Sequence, residues 1–221
     1  MISLLLDSSN QPLSVAVMED DDVLASRTNG EKVNHSIQLM PTVKMLLEEA
    51  NLTPKQLDAI IVAKGPGSYT GLRIGVTTAK TLAYTLNIPL YGVSSLQALA
   101  ATIDAQEKTI VPIFNARRGF VFAGIYQWQN GKLKAVMEDQ YIALESLLSK
   151  LDTYSDAIFV GEDVRVFETE LQPFDTIANL PKAETMFALQ GEAVNVHTFV
   201  PSYLKLSEAE QNWMKQQSSK N

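Results

Sequence analysis

Two stretches of the sequence, one opening at Ile2 and the other at Thr109, carry the same order of apolar runs and turns, and this repetition restricts the fold more than any other feature. The first stretch holds apolar runs at 2–6, 13–18 and 23–27, split by Asp7-Ser-Ser-Asn-Gln-Pro12 and by the acidic Glu19-Asp-Asp-Asp22. Connections this short predict an antiparallel three-strand meander, because a parallel crossover needs a dozen or more residues. From Asn34 the apolar spacing becomes helical: Leu39, Met40, Val43, Leu46, Leu47 and Ala50 share one face, Asn34 is the expected N-cap, and Pro41 is a kink point. Thr53-Pro-Lys-Gln56 reads as a capping box opening a short helix before a strand at 59–63. A helix reaching Leu86, a strand at 89–93 and a helix capped by Ser94 complete the order βββαβαβα.

The second stretch predicts strands at 109–114, 120–127 and 132–136, with Asn130-Gly131 as a hairpin turn, then a helix near 144–151. Ala157-Ile-Phe-Val-Gly161 follows and echoes Ala59-Ile-Ile-Val-Ala63, so a βββαβα unit is duplicated. The expected fold is therefore α/β and two-lobed, with the lobes facing across a cleft as in the actin, hexokinase and Hsp70 (ASKHA, ribonuclease H-like) class. The lobes are expected at 1–104 and 105–221, parted by the charged segment 104–108. Asp7 and Asn115 then end the two equivalent first strands. The tail from about 201 to 221, with Ser207-Glu-Ala-Glu210 as a capping box, is expected to form a closing helix and to dock back on the first lobe.

Composition removes several function classes. Lys and Arg number 18 against 25 Asp and Glu, a net charge of −7, so a broad basic surface for nucleic acid is not expected. Cysteine is absent, which removes disulfides, thiolate nucleophiles and Cys-based zinc sites. No apolar run approaches the roughly 18 residues that span a bilayer, and the opening Met-Ile-Ser-Leu-Leu-Leu-Asp7 lacks the basic flank of a signal peptide. A cytoplasmic, unprocessed chain without membrane contact is expected.

Gly65-Pro-Gly-Ser-Tyr-Thr-Gly71 lies between a strand and a helix start, where free amides and the helix dipole favour an anion. It does not fit the G-x4-G-K-[ST] phosphate loop, and a tight turn that lets the helix pack closely on the sheet explains it equally well. With Asp7, Ser8 and Ser9 at the end of the first strand, Gly65, Gly67 and Ser68 form the candidate nucleotide site. The following helix carries only Arg73 and Lys80 as charges over sixteen residues, and Gly71, Gly75, Ala79 and Ala83 recur every fourth position. Its outer residues Ile74, Thr78 and Thr81, with Ile37 and Met45 of the earlier helix, predict a partner-binding face. Arg117 and Arg118 are candidates for a phosphate or RNA contact. His35 and His197 have no ligating neighbour, and no G-x-S-x-G elbow is present, so neither a metal site nor a catalytic triad is predicted.

Leu6-Asp7-Ser8-Ser9, the segment from His35 to Pro41, Gly65-Pro-Gly-Ser-Tyr-Thr-Gly-Leu-Arg-Ile-Gly75, Gly92-Val-Ser-Ser-Leu96, Asn115-Ala-Arg-Arg118 and Pro201-Ser-Tyr-Leu204 together resemble the bacterial TsaB (YeaZ) family. The resemblance covers nearly the whole chain, although the family often has Asp where this chain has Asn115. It implies the two-lobed actin-like fold and a part in making N6-threonylcarbamoyladenosine at position 37 of tRNAs that read codons beginning with A. It further implies a cytoplasmic pseudoenzyme that dimerises with TsaD, recruits TsaE, forms a homodimer in isolation and meets tRNA only through the complex. In the catalytic paralogue TsaD, a Val-Asn-His-x-x-x-His stretch supplies two metal ligands. Here it reads Val93-Ser94-Ser95-Leu96-Gln97-Ala98-Leu99, and leucine cannot ligate a metal. No catalytic residue, metal or intrinsic cofactor is therefore expected, and ATP at a shared interface is the one nucleotide the resemblance allows. An active actin-like ATPase or sugar kinase is the alternative reading.

Overall fold

A computed structural model describes residues 1–30, 34–154 and 156–205. Its first sheet contains β1 (Ile2–Asp7), β2 (Leu13–Glu19), β3 (Asp22–Asn29), β4 (Ala59–Gly65) and β5 (Leu90–Ser94), in the order β3-β2-β1-β4-β5. The meander is antiparallel, as its short turns require, and β4 and β5 run parallel to β1. The second sheet contains β6 (Thr109–Asn115), β7 (Phe120–Gln129), β8 (Lys132–Ala143), β9 (Ala157–Val160) and β10 (Asp175–Ile177), in the order β10-β9-β6-β7-β8. Read from its meander edge, the second sheet repeats the first strand for strand. This is the two-lobed, actin-like α/β architecture.

The helices explain why the central strands are nearly continuous apolar runs, since both faces of each sheet are covered. α1 (His35–Glu49) and α2 (Tyr69–Leu86) pack on one face of the first sheet, where Leu4, Leu6, Val15, Ile60 and Val62 meet Leu39, Val43, Leu46, Val76 and Ala79. The opposite face, with Leu5, Ala16, Ile61 and Val93, meets Ala98 of α3 (Ser95–Ala100) and the 3₁₀ segment Ala183–Leu189. α3 also presents Leu96 and Leu99 to Ile110, Phe114 and Phe122 of the second sheet, so one short helix joins both sheets. α4 (Leu144–Leu151), with Val164, Phe167 and Leu171, fills the outer face of the second sheet.

Several local expectations change. The helix expected at Thr53 is a single 3₁₀ turn, Pro54–Gln56, in which the Thr53 amide and hydroxyl both donate to Gln56 Oε1. β8 extends past residue 136 to Ala143. The closing helix of the second unit is a 3₁₀ turn, Glu162–Phe167, so the two units differ there. Met40 is 47% exposed rather than part of the α1 core face: Leu39, Val43, Leu46 and Leu47 fill that face, and Met40 lies at its edge, about 20° beyond Leu47. The helix expected from Ser207 lies outside the described residues. Among the described residues, no helix is long and apolar enough to cross a membrane.

Candidate functional site

The end of β1 and the start of α2 meet in the first lobe. Asp7 is 1% exposed, and its Oδ1 accepts from the Ser9 amide at 2.9 Å and the Ser9 hydroxyl at 2.6 Å, while its Oδ2 is buried without a hydrogen-bond partner. Burial pushes its carboxyl above the usual carboxylate range, against the pull of the two Ser9 donors and of nearby His35. Ser8 Oγ donates to the Gly71 carbonyl at 2.8 Å, and the Ser68 amide donates to the Ser9 carbonyl at 2.6 Å. The six residues of the candidate nucleotide site therefore lie together. The glycines serve this approach directly: a Cβ on Gly67 would lie 2.0 Å from the Ser9 carbonyl oxygen, and one on Gly71 2.1 Å from that of Ser8. Part of the loop's donor set is engaged within the protein, since the Gly65 amide donates to Ser95 Oγ at 3.1 Å and the Gly71 amide to the capping Ser68 Oγ at 3.4 Å. The close-packing reading of the glycine segment thus has named contacts.

Across the cleft, the end of β6 is arranged differently. Asp163 Oδ2 accepts from the Asn115 amide at 2.9 Å and from Asn10 Nδ2 of the first lobe at 3.3 Å. Arg117 and Arg118 are exposed on the following turn. The chain then returns to the first lobe: the Ala183 amide donates to Ser14 Oγ at 2.8 Å, Val194 bridges Leu90, and the Ser202 amide donates to the Lys64 carbonyl at 2.7 Å. Lys205 crosses the cleft again, its Nζ donating to the Ala116 carbonyl at 3.0 Å.

Ser95 and Leu99, the positions that the resemblance sets against the paralogue's metal-binding histidines, have packing roles. Ser95 is fully buried as the acceptor for Gly65, and Leu99 is fully buried in the core beneath β6. Among the described residues, no cluster of three or more His, Asp or Glu could hold a metal ion.

One polar cluster escaped the sequence analysis. Ser94 caps α3 by accepting from the Gln97 amide at 3.1 Å and also donates to Asp139 Oδ2 at 2.5 Å, while Tyr126 donates to Asp139 Oδ1. Burial raises the Asp139 carboxyl above its ordinary range, and the two hydroxyl donors and Lys64 oppose that shift. In β8, Leu133, Ala135 and Tyr141 pack in the inner cluster with α3 while Met137 packs on the outer one, so simple alternation does not place Asp139 and the sequence carries no clear signal for it. A bulge in β8 opposite Gly124 seats it, and a Cβ on Gly124 would lie 2.7 Å from Asp139 Oδ1.

The expected partner face divides. Ile37 is 66% exposed and Thr81 is exposed, whereas Met45 and Ile74 are partly buried against the first core and Thr78 is intermediate. Ile37 and Met40 are exposed apolar side chains on the outer side of α1, interleaved with the exposed Lys44–Glu48 ion pair, and Ile37 lines an open groove of about 360 Å³ between α1 and β3. Lys80 donates to the His197 and Phe199 carbonyls at 3.3 and 2.7 Å, which removes one of the two charges of α2 from its surface.

A sequence model of the family described as TsaD, tRNA N6-adenosine threonylcarbamoyltransferase, matches residues 23–213. The tRNA threonylcarbamoyladenosine biosynthesis protein TsaB of Bacillus subtilis (strain 168) is 41% identical to this chain, over 98% of it and 100% of the relative. The TsaB of Escherichia coli (strain K12) is 27% identical over 91% of this chain and 94% of its own. Among solved structures, YeaZ from Pseudomonas aeruginosa superposes with a TM-score of 0.79 at 28% identity, covering 92% of this chain and 99% of that one. Similarity of this order over nearly the whole of both chains shows that the chain belongs to the TsaB (YeaZ) family.

Proposed function

We propose that this chain is a non-catalytic scaffold subunit in the formation of N6-threonylcarbamoyladenosine at position 37 of tRNAs that read codons beginning with A. It acts by pairing with a TsaD-type transferase and recruiting the ATPase TsaE. The observation that carries the reading is the end-to-end match to a relative named for tRNA threonylcarbamoyladenosine biosynthesis. Two features of the chain support the division of labour. Leu99 is a core residue where the paralogue has a metal-binding histidine, so the metal and the transfer chemistry fall to the partner. The exposed Ile37, Met40 and Tyr84 give α1 and α2 apolar side chains suited to a protein contact, to TsaD in the complex or to a second copy in isolation. Any ATP belongs to the shared interface or to the partners.

The test is reconstitution with one component omitted at a time. Modified tRNA is expected with TsaC, which would synthesise the threonylcarbamoyl-adenylate donor, TsaD, TsaE and this chain together, and none when this chain or TsaD is left out. Transfer by this chain alone from threonylcarbamoyl-adenylate to tRNA would overturn the non-catalytic assignment. Ile37→Glu and Thr78→Arg are expected to abolish co-elution with TsaD, because an unpaired charge buried at a packed contact costs about 3 kcal/mol or more.

A further inference from the structure

We propose that the corner of the second lobe formed by Arg117, Arg118 and Lys205 binds the phosphate backbone of an RNA within the assembled complex, a proposal that rests on the tRNA-modification role above. The backbone singles this corner out. Arg117 and Arg118 have φ of 68° and 56°, and with Gly119 at 74° they form a left-handed run of three. Glycine or asparagine would sit there with less strain, so two arginines in that conformation call for an account of their side chains. The turn that enforces it is held by four hydrogen bonds. Asn115 Oδ1 accepts from the Arg117 amide at 2.8 Å, the Phe120 amide donates to the Arg117 carbonyl at 3.1 Å, the Ala116 amide to the Phe120 carbonyl at 2.9 Å, and the Leu144 amide to the Gly119 carbonyl at 2.9 Å.

The side chains are left open to a ligand. Both arginines are exposed, and among the described residues neither they nor Lys205 forms an ion pair. Lys205 is brought to the same corner by its bond to the Ala116 carbonyl, and its ammonium lies 5.2 Å from the centre of the Tyr141 ring. Tyr141 in turn stacks on Phe120 at 4.8 Å, which stiffens the floor under the cations. Three cations with no ion pair among the described residues, on a chain of net charge −7, form a local exception to an acidic surface. Two guanidinium forks and an ammonium suit successive phosphates, and the acidic remainder disfavours RNA elsewhere on this chain.

The experiment measures binding of unmodified tRNA to the complete complex by fluorescence anisotropy across a salt series. The Arg117→Gly/Arg118→Gly pair keeps the left-handed turn without strain. It is expected to weaken binding about tenfold at 0.1 M salt and to lower the slope of log K against log salt by about 1.4, with Lys205→Gln removing about 0.7 more. The melting temperature is expected to stay equal or rise, and association with the partner to be unchanged. Wild-type affinity and slope in these variants would overturn the proposal. So would unaltered RNA binding combined with lost partner association, which would assign the corner to an acidic protein segment. If tRNA is modified without this chain, the scaffold reading fails; if the chain is required but the glycine variants bind RNA normally, only this inference fails.

Discussion

The two lobes share a strand order and differ at the ends of their first strands, and that difference shows which part of a duplicated unit carries function. In the first lobe β1 runs into Asp7, Ser8 and Ser9, which α2 seals with its glycine face, so the strand end is buried. In the second lobe β6 runs into Asn115 and an exposed left-handed turn, and the helix that ought to follow β9 is only the 3₁₀ turn Glu162–Phe167. Without a long helix on it, the second strand end stays open to solvent. Duplication preserved the sheets, which fix the cores, and released the strand ends, which do not.

The largest expected effect tests the seal. Gly71→Val places its Cβ 2.1 Å from the Ser8 carbonyl oxygen, a backbone atom that cannot yield without moving β1 or α2. A loss of about 3 kcal/mol or more in urea unfolding is expected. A Cβ on Gly119 of the second lobe meets nothing within 4 Å, so Gly119→Ala is expected to cost only about 1 kcal/mol, from its φ of 74°. Equal costs at the two sites would erase the contrast between a packed and an open strand end.

Next in size is the link between the lobes. Ser94→Ala removes both the cap on α3 and the hydroxyl that donates to Asp139, and about 2 kcal/mol is expected from the two together. Asp139→Asn keeps an acceptor for Tyr126 while leaving the cap intact. A double-mutant cycle on these two positions is expected to show coupling, and strict additivity would mean that Ser94 acts only as a cap.

Much of this was legible in the sequence. The strand order followed from apolar runs separated by turns too short to cross over, and the repeated Ala-Ile-x-Val placed β4 and β9 in register with each other. The pairing of Asp7 with the glycine segment also followed, because both stand at strand ends on one side of a parallel sheet. What stayed hidden depends on contacts made across the molecule. Asp139 gains meaning only when a bulge opposite Gly124 turns it toward Ser94, and Lys80 looks like a solvent-facing charge until the segment at His197 folds back over it. Met40 fails for a different reason, since helical spacing gives the direction of a stripe and not its width.

A smaller effect is expected from neutralising the buried acid of the first lobe. Because burial raises the Asp7 carboxyl in the folded chain, the folded state holds its proton more tightly than the unfolded one. Stability from this group is therefore fully present below the usual carboxylate value and is lost as pH rises through the folded-state value. Asp7→Asn is expected to flatten the stability profile between acidic and neutral pH, measured as unfolding midpoints across that range. An unchanged profile would mean that Asp7 does not titrate differently in the two states.

The smallest effect is the reverse exchange. Asn115→Asp gives the second lobe the residue type of the first, in a site that is only partly buried. Its Oδ1 still accepts from the Arg117 amide, so the left-handed turn survives. The new charge lies near Asp163, which disfavours it, and on the same turn as Arg117 and Arg118, which favour it. Opposing terms in a solvated setting leave a change within about 0.5 kcal/mol and a pH profile close to that of the parent chain. Equivalent positions in a repeated fold would then answer opposite substitutions unequally, because one end is closed by a helix and the other by water. A large pH-dependent loss from Asn115→Asp would show instead that the second cleft wall is as desolvated as the first.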